Sequence, residues 1–280
     1  MTARAGSRTT VLLIAPLCRD MIVVGTERRV RAGGAGLYAS WALARLGAAV
    51  RLHTPLAKGD EDLLRALPPG AVEAVIHPSR ETTRFEIEIS PEDPNERRMR
   101  CRVSSDPLDP ARIDAAGNAY ILVAPLLPGD LDERVVAFLR ECARPIDLGV
   151  QGLCRDVAAD GTVRVAAPPA GLRLPPLRIA AGDEREIAAF AGTMLQVARE
   201  VVVTRGNRGA WIDLRDPPRR VEIPPVPPAG PARDAIGLGD TFLASYGWMR
   251  NGGLDVLESG NGAARAATAL LEEGLSSRTF

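Results

Sequence analysis

Apolar positions along the chain fall into two patterns. Unbroken apolar runs bounded by turn residues occupy 10–17, 119–125 and 201–204. Such runs leave no polar face and suit strands covered on both sides, as in a parallel sheet. Between them, apolar residues recur at helical spacing over 35–46, 131–142, 184–197, 240–250 and 254–273. Strand–helix alternation of this kind predicts a layered α/β domain with right-handed crossovers.

Two segments break the alternation. Residues 20–32 contain Met21-Ile22-Val23-Val24 followed by charged residues. Within 82–103, Phe85-Glu86-Ile87-Glu88-Ile89 alternates cleanly, and Met99-Arg100-Cys101-Arg102-Val103 does so after a polar turn. Period-two alternation with one polar face predicts antiparallel strands exposed on one side. These strands are expected to form a small sheet standing off the main body, as a lid over a site; an ordinary edge hairpin fits the same pattern. The proline-rich stretches 167–176 and 217–231 are expected to be extended connections, and no internal repeat is present. The expectation is one domain over 1–280, with lid strands inserted at about 20–32 and 82–103.

Composition narrows the function classes. With 46% hydrophobic and 25% charged residues in a chain of 280, the protein can bury a sizeable core. A formal net charge of zero gives no electrostatic reason to expect a nucleic-acid partner. No stretch reaches the length of a membrane span, and the apolar run after Arg4 and Arg8 is too short for a signal peptide and is followed at once by Arg19 and Asp20. Lys58 is the only lysine, so no P-loop of the Gly-Lys-Ser/Thr type exists. Cys18, Cys101, Cys142 and Cys154 are scattered without a paired motif, which favours reduced thiols and a cytoplasmic setting over a disulfide framework or a zinc site. Only His53 and His77 exist, so proton transfer is expected to fall to carboxylates.

The segment Asp234-Ala235-Ile236-Gly237-Leu238-Gly239-Asp240 carries the strongest chemical signal. It precedes an amphipathic stretch with Phe242, Tyr246 and Met249 at helical spacing. Glycines at 237 and 239 allow a tight turn that gathers consecutive amide N–H groups at a helix N-terminus, a ready anion site. Asp240, in the same first turn, can take a proton from an attacking hydroxyl during phosphoryl transfer. On spacing alone, it can equally be a capping residue.

This segment resembles the D-T-x-G-A-G-D-x-F signature of the ribokinase-like (PfkB) carbohydrate kinases. The resemblance implies a ribokinase-like α/β/α fold with a mostly parallel central sheet and a small β-sheet lid. It further implies Asp240 as catalytic base, with the amides of Gly237, Leu238 and Gly239 contributing the anion hole. Gly33-Gly34 followed by Ala42-Leu43-Ala44-Arg45-Leu46-Gly47 looks like the family's N-terminal glycine signature, where the acceptor binds. Asp20 matches the acidic residue that holds acceptor hydroxyls. Asp183-Glu184-Arg185-Glu186 resembles the N-x-x-E motif, which implies that Asp183 and Glu186 organise magnesium through water. Val202-Val203-Thr204-Arg205-Gly206-Asn207-Arg208-Gly209-Ala210 looks like the T-x-G-x-x-G turn, placing Thr204, Gly206 and Gly209 near nucleotide phosphates. Asn261 resembles the residue beside the adenine. Gln151-Gly152-Leu153-Cys154-Arg155 is similar to D-x-Q-G-x-x-R of the branch with inositol and nucleoside kinases, although Gly149 stands where its Asp is expected; Gln151 and Arg155 are thereby implied as acceptor ligands.

The implied activity is transfer of the γ-phosphoryl group of ATP, with Mg2+, to a hydroxyl of a small polyol (sugar, cyclitol such as inositol, or nucleoside). Leu238 replaces the usual Ala, and Tyr38 stands where many members have an acceptor-binding Asn. Tyr38 is therefore expected to face an acceptor other than a plain pentose, or to pack under the lid. Arg84, Arg98, Arg100 and Arg102 on the lid can reach an anionic acceptor, or form a solvated face. A catalytically degenerate ligand binder is the alternative. A dinucleotide loop at Gly33-Gly34-Ala35-Gly36 fails on spacing. A homodimer through the apolar lid face is the expected assembly, if the chain is not a monomer.

Overall fold

A computed structural model describes residues 9–90, 97–190, 195–230 and 235–273. Fifteen strands and five α-helices occur among them. In chain order the strands are β1 (Thr10–Ile14), β2 (Cys18–Val24), β3 (Glu27–Gly33), β4 (Ala49–Ala57), β5 (Val72–Ser79), β6 (Arg84–Ile89), β7 (Arg97–Val103), β8 (Ile121–Val123), β9 (Ile146–Gly149), β10 (Arg155–Val157), β11 (Val163–Val165), β12 (Leu177–Asp183), β13 (Ala198–Thr204), β14 (Ala210–Arg215) and β15 (Pro218–Ile223). The helices are α1 (Ala35–Arg45), α2 (Glu133–Glu141), α3 (Glu184–Phe190), α4 (Leu238–Asn251) and α5 (Val256–Glu273).

Nine strands form one sheet in the order β15-β14-β13-β12-β9-β8-β1-β4-β5. From β13 to β5 all neighbours are parallel; β14 and β15 add an antiparallel hairpin at one edge. Successive side chains of a strand point to opposite faces. Val11, Leu13 and Leu122 accordingly join α1, α4 and α5 in one core. Leu12, Ile14, Ile121 and Val123 join α2 and α3 in the other. This is the three-layer α/β/α arrangement expected from the sequence.

The four-stranded lid, ordered β3-β2-β6-β7, also forms. Its strand pairing differs from expectation in one respect. Strands β2 and β6 pair parallel, because the chain leaves the lid after β3 and crosses α1, β4 and β5 before returning. On the apolar lid face, Phe85 and Ile87 are buried against the chain's own core. The stretch 217–231 is not wholly a connection: Pro218–Ile223 is the sheet's edge strand, with Pro218 as its first residue, a strand position that tolerates proline. Of the helix expected over 184–197, α3 covers Glu184–Phe190 and a 3-10 turn covers Leu195–Val197, while 191–194 lie outside the described residues.

Asp147, wholly buried inside the sheet, is paired. Asp147 of β9 receives both Arg178 Nε (2.8 Å) and Nη2, while the guanidinium lies 4.4 Å from the Tyr120 ring centre and donates to Gly247 O at 3.0 Å. Breaking such a pair leaves an uncompensated buried carboxylate. Arg178→Met is expected to lower unfolding free energy by about 3–5 kcal/mol, measured by urea denaturation.

The two histidines also meet, on adjacent parallel strands. Asp109 N–H donates to His77 Nδ1 (3.1 Å), and His77 Nε2 lies 3.0 Å from His53 Nδ1. Because His77 Nδ1 is an acceptor, neutral His77 carries its proton on Nε2 and donates to His53. Burial lowers both pKa values, that of His53 to about 4, with His77 and Arg51 adding to the effect. In the unfolded chain both titrate near the ordinary histidine value, so below it the unfolded state binds more protons. Stability is then lost as pH falls from the unfolded value toward about 4. Denaturation at about pH 7 and pH 5 is expected to differ by at least ~2 kcal/mol, and His53→Asn should shrink that difference.

Candidate active site

The C-terminal ends of the parallel strands and the lid bound the site, which is where open α/β sheets place ligands. Helix α4 begins here. Its cap, Gly237, has φ 80°, in the left-handed region, and a Cβ at that position would lie 2.2 Å from Cγ of Tyr38. Both facts demand glycine. The first intrahelical bond runs from Thr241 N–H to Gly237 O at 2.9 Å. The amides of Leu238, Gly239 and Asp240 precede it and lie at the positive end of the helix dipole. Asp240 is therefore in the first turn, as expected; Asp234 lies outside the described residues.

Gln151, just after β9, bonds Asp240, and Arg155, the first residue of β10, stands behind it. Gln151 Nε2 donates to Asp240 Oδ1 at 2.9 Å. Arg155 Nη2 donates to Gln151 Oε1 at 3.0 Å, and its Nη1 to Leu126 O at 3.0 Å. Burial pushes the Asp240 pKa up to about 6; Glu186 also raises it, while Arg155, Arg97 and the Gln151 bond oppose the rise. Leu126 and Leu127 are in turn held by Asp130, whose Oδ2 accepts from their amides at 2.7 and 2.9 Å.

The acceptor-side residues lie on β2, β3 and α1. Asp20 is 2% exposed and sits opposite Arg31 in the β2–β3 register. Any Cβ on Gly33 would overlap Asp20 Oδ2, and one on Gly34 (φ 90°) would lie 2.5 Å from Pro16 O. The glycine pair thus lets β3 turn into α1 directly over the Asp20 carboxylate. Tyr38 is 3% exposed; its ring lies on Gly237 and its hydroxyl accepts from Arg31 Nη2 at 3.2 Å. Of its two expected roles, packing beneath the lid is the one its contacts display.

The donor-side residues lie across the strand ends. Thr204 pairs in register with Asp183 and donates to Gly182 O at 3.4 Å. Gly206 and Gly209 make the turn into β14, closed by Arg205 N–H to Gly209 O at 2.8 Å; a Cβ on Gly209 would lie 2.2 Å from Ile223 O. Asn261 lies on α5 between Gly260 and Gly262, which abut Ile223 and Met249. Asp183 and Glu186 cap α3 reciprocally: Glu186 N–H donates to Asp183 Oδ1 (2.8 Å) and Asp183 N–H to Glu186 Oε2 (2.9 Å). Among the described residues no three metal-ligating side chains cluster. With an oxygen of each carboxylate engaged in the cap, the pair suits holding an ion through water better than chelating it directly.

Sequence reasoning missed Arg97, whose charge acts on both Asp240 and Glu186, and Arg31 on Tyr38. Strand periodicity in the lid could have selected them. Three of the lid arginines singled out from the sequence are committed elsewhere: Arg100 and Arg102 to Glu86, and Arg84 to Asp60 and Glu81.

Residues 13–278 match the pfkB family of carbohydrate kinases. The chain belongs to that family. Similar solved structures share its fold at low identity. A pyrophosphate-dependent kinase in the ribokinase family, complexed with a pyrophosphate analog and myo-inositol, is 19% identical with TM-score 0.76, covering 94% of each chain. A Burkholderia thailandensis nucleoside kinase with inosine is 16% identical with TM-score 0.71, covering 97% of this chain and 94% of that one. Arabidopsis thaliana ribokinase with ribose and ATP is 15% identical with TM-score 0.69, covering 94% and 92%. No protein of curated function matches the sequence. Among the described residues of this pfkB-family chain, no helix is long and apolar enough to cross a membrane.

Gly237→Ala is expected to disrupt this pfkB-family site by driving a methyl into the Tyr38 ring and straining the turn, by about 1–2 kcal/mol for the backbone alone. Loss of activity is expected, and the combined change with Tyr38→Ala should recover stability by thermal melt more than activity.

Proposed function

We propose that the protein transfers the γ-phosphoryl group of ATP to a hydroxyl of a small polyol: a sugar, a cyclitol or a nucleoside. The observation that carries this reading is Asp240 in the first turn of α4, beside the amides of Gly237, Leu238 and Gly239, with its pKa raised to about 6. Asp20, at the buried turn of Gly33 and Gly34, binds acceptor hydroxyls. Asp240 Oδ2 takes the proton of the attacking hydroxyl, while Oδ1 stays bonded to Gln151. The acceptor oxygen bonds to the γ-phosphorus as the bond to the bridging oxygen breaks and ADP leaves with the electron pair. Charge on the transferred group is met by the helix-end amides. Thr204, Gly206 and Gly209 line the donor phosphates, and Asn261 the base. Asp183 and Glu186 would hold magnesium through water, and the ion would supply charge neutralisation for the donor phosphates.

A pyrophosphate-dependent protein of the same fold makes the donor part of the test. Purified protein is screened against nucleosides, inositols and hexoses with ATP and, separately, pyrophosphate. Phosphorylated product with ATP is expected; turnover with pyrophosphate alone would overturn the donor assignment. Asp240→Asn should reduce kcat by at least about a hundredfold without loss of fold. A carboxyl acts as base only when ionised, so kcat should decline as pH falls through about 6. A flat profile down to about pH 5, or full activity in Asp240→Asn, would sink Asp240 as the base.

A further inference from the structure

Gln151 and Arg155 match a motif associated with acceptor binding, yet their side chains are turned to each other and to the base. Arginine has only donors, so the Gln151 atom facing Arg155 must be its carbonyl oxygen. The amide group of Gln151 is thereby forced toward Asp240, where it meets Oδ1 at 2.9 Å. Arg155 cannot swing away without giving up Leu126 O, and Asp130 fixes the loop that carries Leu126.

We infer that Gln151 is the positioning residue of the base, held in one amide orientation by Arg155, and that it fixes which oxygen of Asp240 receives the acceptor proton. The inference rests on the kinase reading of Asp240. Ion-pairing Asp240 directly with Arg155 would favour the ionised form strongly and weaken it as a base. An interposed neutral amide orients the carboxylate and stabilises its charge only modestly. The charged groups acting on Asp240 are Arg155 from β10, Arg97 from β7 and Glu186 from α3; Gln151, at the end of β9, makes the direct bond. An acceptor ligand would act instead through ground-state binding. The two roles separate kinetically.

The test uses Gln151→Met, which keeps the length and removes the donor, and Gln151→Glu, which replaces it with a like charge. Carboxyl-carbon NMR of the full chain follows the titration of Asp240, assigned with Asp240→Asn, in the absence of any substrate. The expected result is an upward shift of the Asp240 titration by about half a unit to one unit in Gln151→Met, and a larger one in Gln151→Glu. The acidic limb of kcat should move the same way, with kcat about tenfold lower and acceptor KM within about twofold of the parent. An unchanged Asp240 titration in a folded variant, or a tenfold rise in acceptor KM with kcat preserved, would overturn the inference. If Gln151→Met does not fold, Gln151→Asn, which keeps a neutral amide but shortens its reach to Asp240 and leaves the Arg155 charge in place, is read by the same titration. The titration needs no turnover. Absence of Asp240-dependent phosphoryl transfer would defeat the kinase reading alone, and the NMR result would still decide the Gln151–Asp240 contact.

Discussion

Everything at the site depends on how closely α4 approaches the rest of the fold. The helix is laid against its neighbours at glycines, with no side chain between. At its start Gly237 meets the Tyr38 ring; ten residues on, a Cβ on Gly247 would come within 2.4 Å of Asp147 Oδ2. Arg178, already bound to Asp147, donates to Gly247 O. Lower down, Tyr246 donates to Glu200 Oε2 at 2.5 Å, and Arg250 brackets the same carboxylate. The register of α4 over β9, β12 and β13 is thus fixed by polar contacts in a largely buried layer, where shifting the helix would orphan several groups at once. Asp240 inherits its position from them.

These contacts also show why Asp240 is chemically distinct from the other buried acids. Asp147 and Glu200 are both met by a guanidinium. Asp130 accepts two backbone amides, and burial still carries its pKa to about 6. Asp240 has one neutral amide on one oxygen, with Arg155 held a residue away behind Gln151. A carboxylate neutralised by arginine is a structural anchor, whereas one that is oriented but left basic can accept a proton.

The layered fold was legible because parallel strands buried on both faces write unbroken apolar runs, as at β1 and β8. Strands β4 and β5 escaped the same reading because His53, Thr54 and His77 interrupt them, and those polar groups are buried only by pairing or bonding across strands. Helix starts were set by caps, not by apolar spacing. Asp132 and Asp255 move α2 and α5 to later starts than periodicity suggests, and Gly237 moves α4 to an earlier one. Asp240, Gly33, Gly34 and Gly209 were legible through the motifs they resemble, and each of the three glycines answers a local steric demand. The contact between Gln151 and Asp240 spans 89 residues and carries no local signal. Only the fold brings it about.

The lid is tied to the segment that contacts Asp240. Arg155, which orients Gln151, is the first residue of β10, and the hairpin β10–β11 docks on the outer lid strand β7 through Cys101 N–H to Gly161 O at 2.8 Å and a bridge between Arg100 and Thr162. A Cβ on Gly161 would lie 2.7 Å from Cys101 O, so hairpin and lid are in backbone contact. That contact covers the β7 edge. The opposite edge, β3, carries Arg28, Arg29 and Arg31, charges of the kind that discourage strand-to-strand pairing. With its apolar face turned inward and one edge met by the segment whose Arg155 orients Gln151 on Asp240, the lid is mechanically joined to the candidate site before any partner is considered.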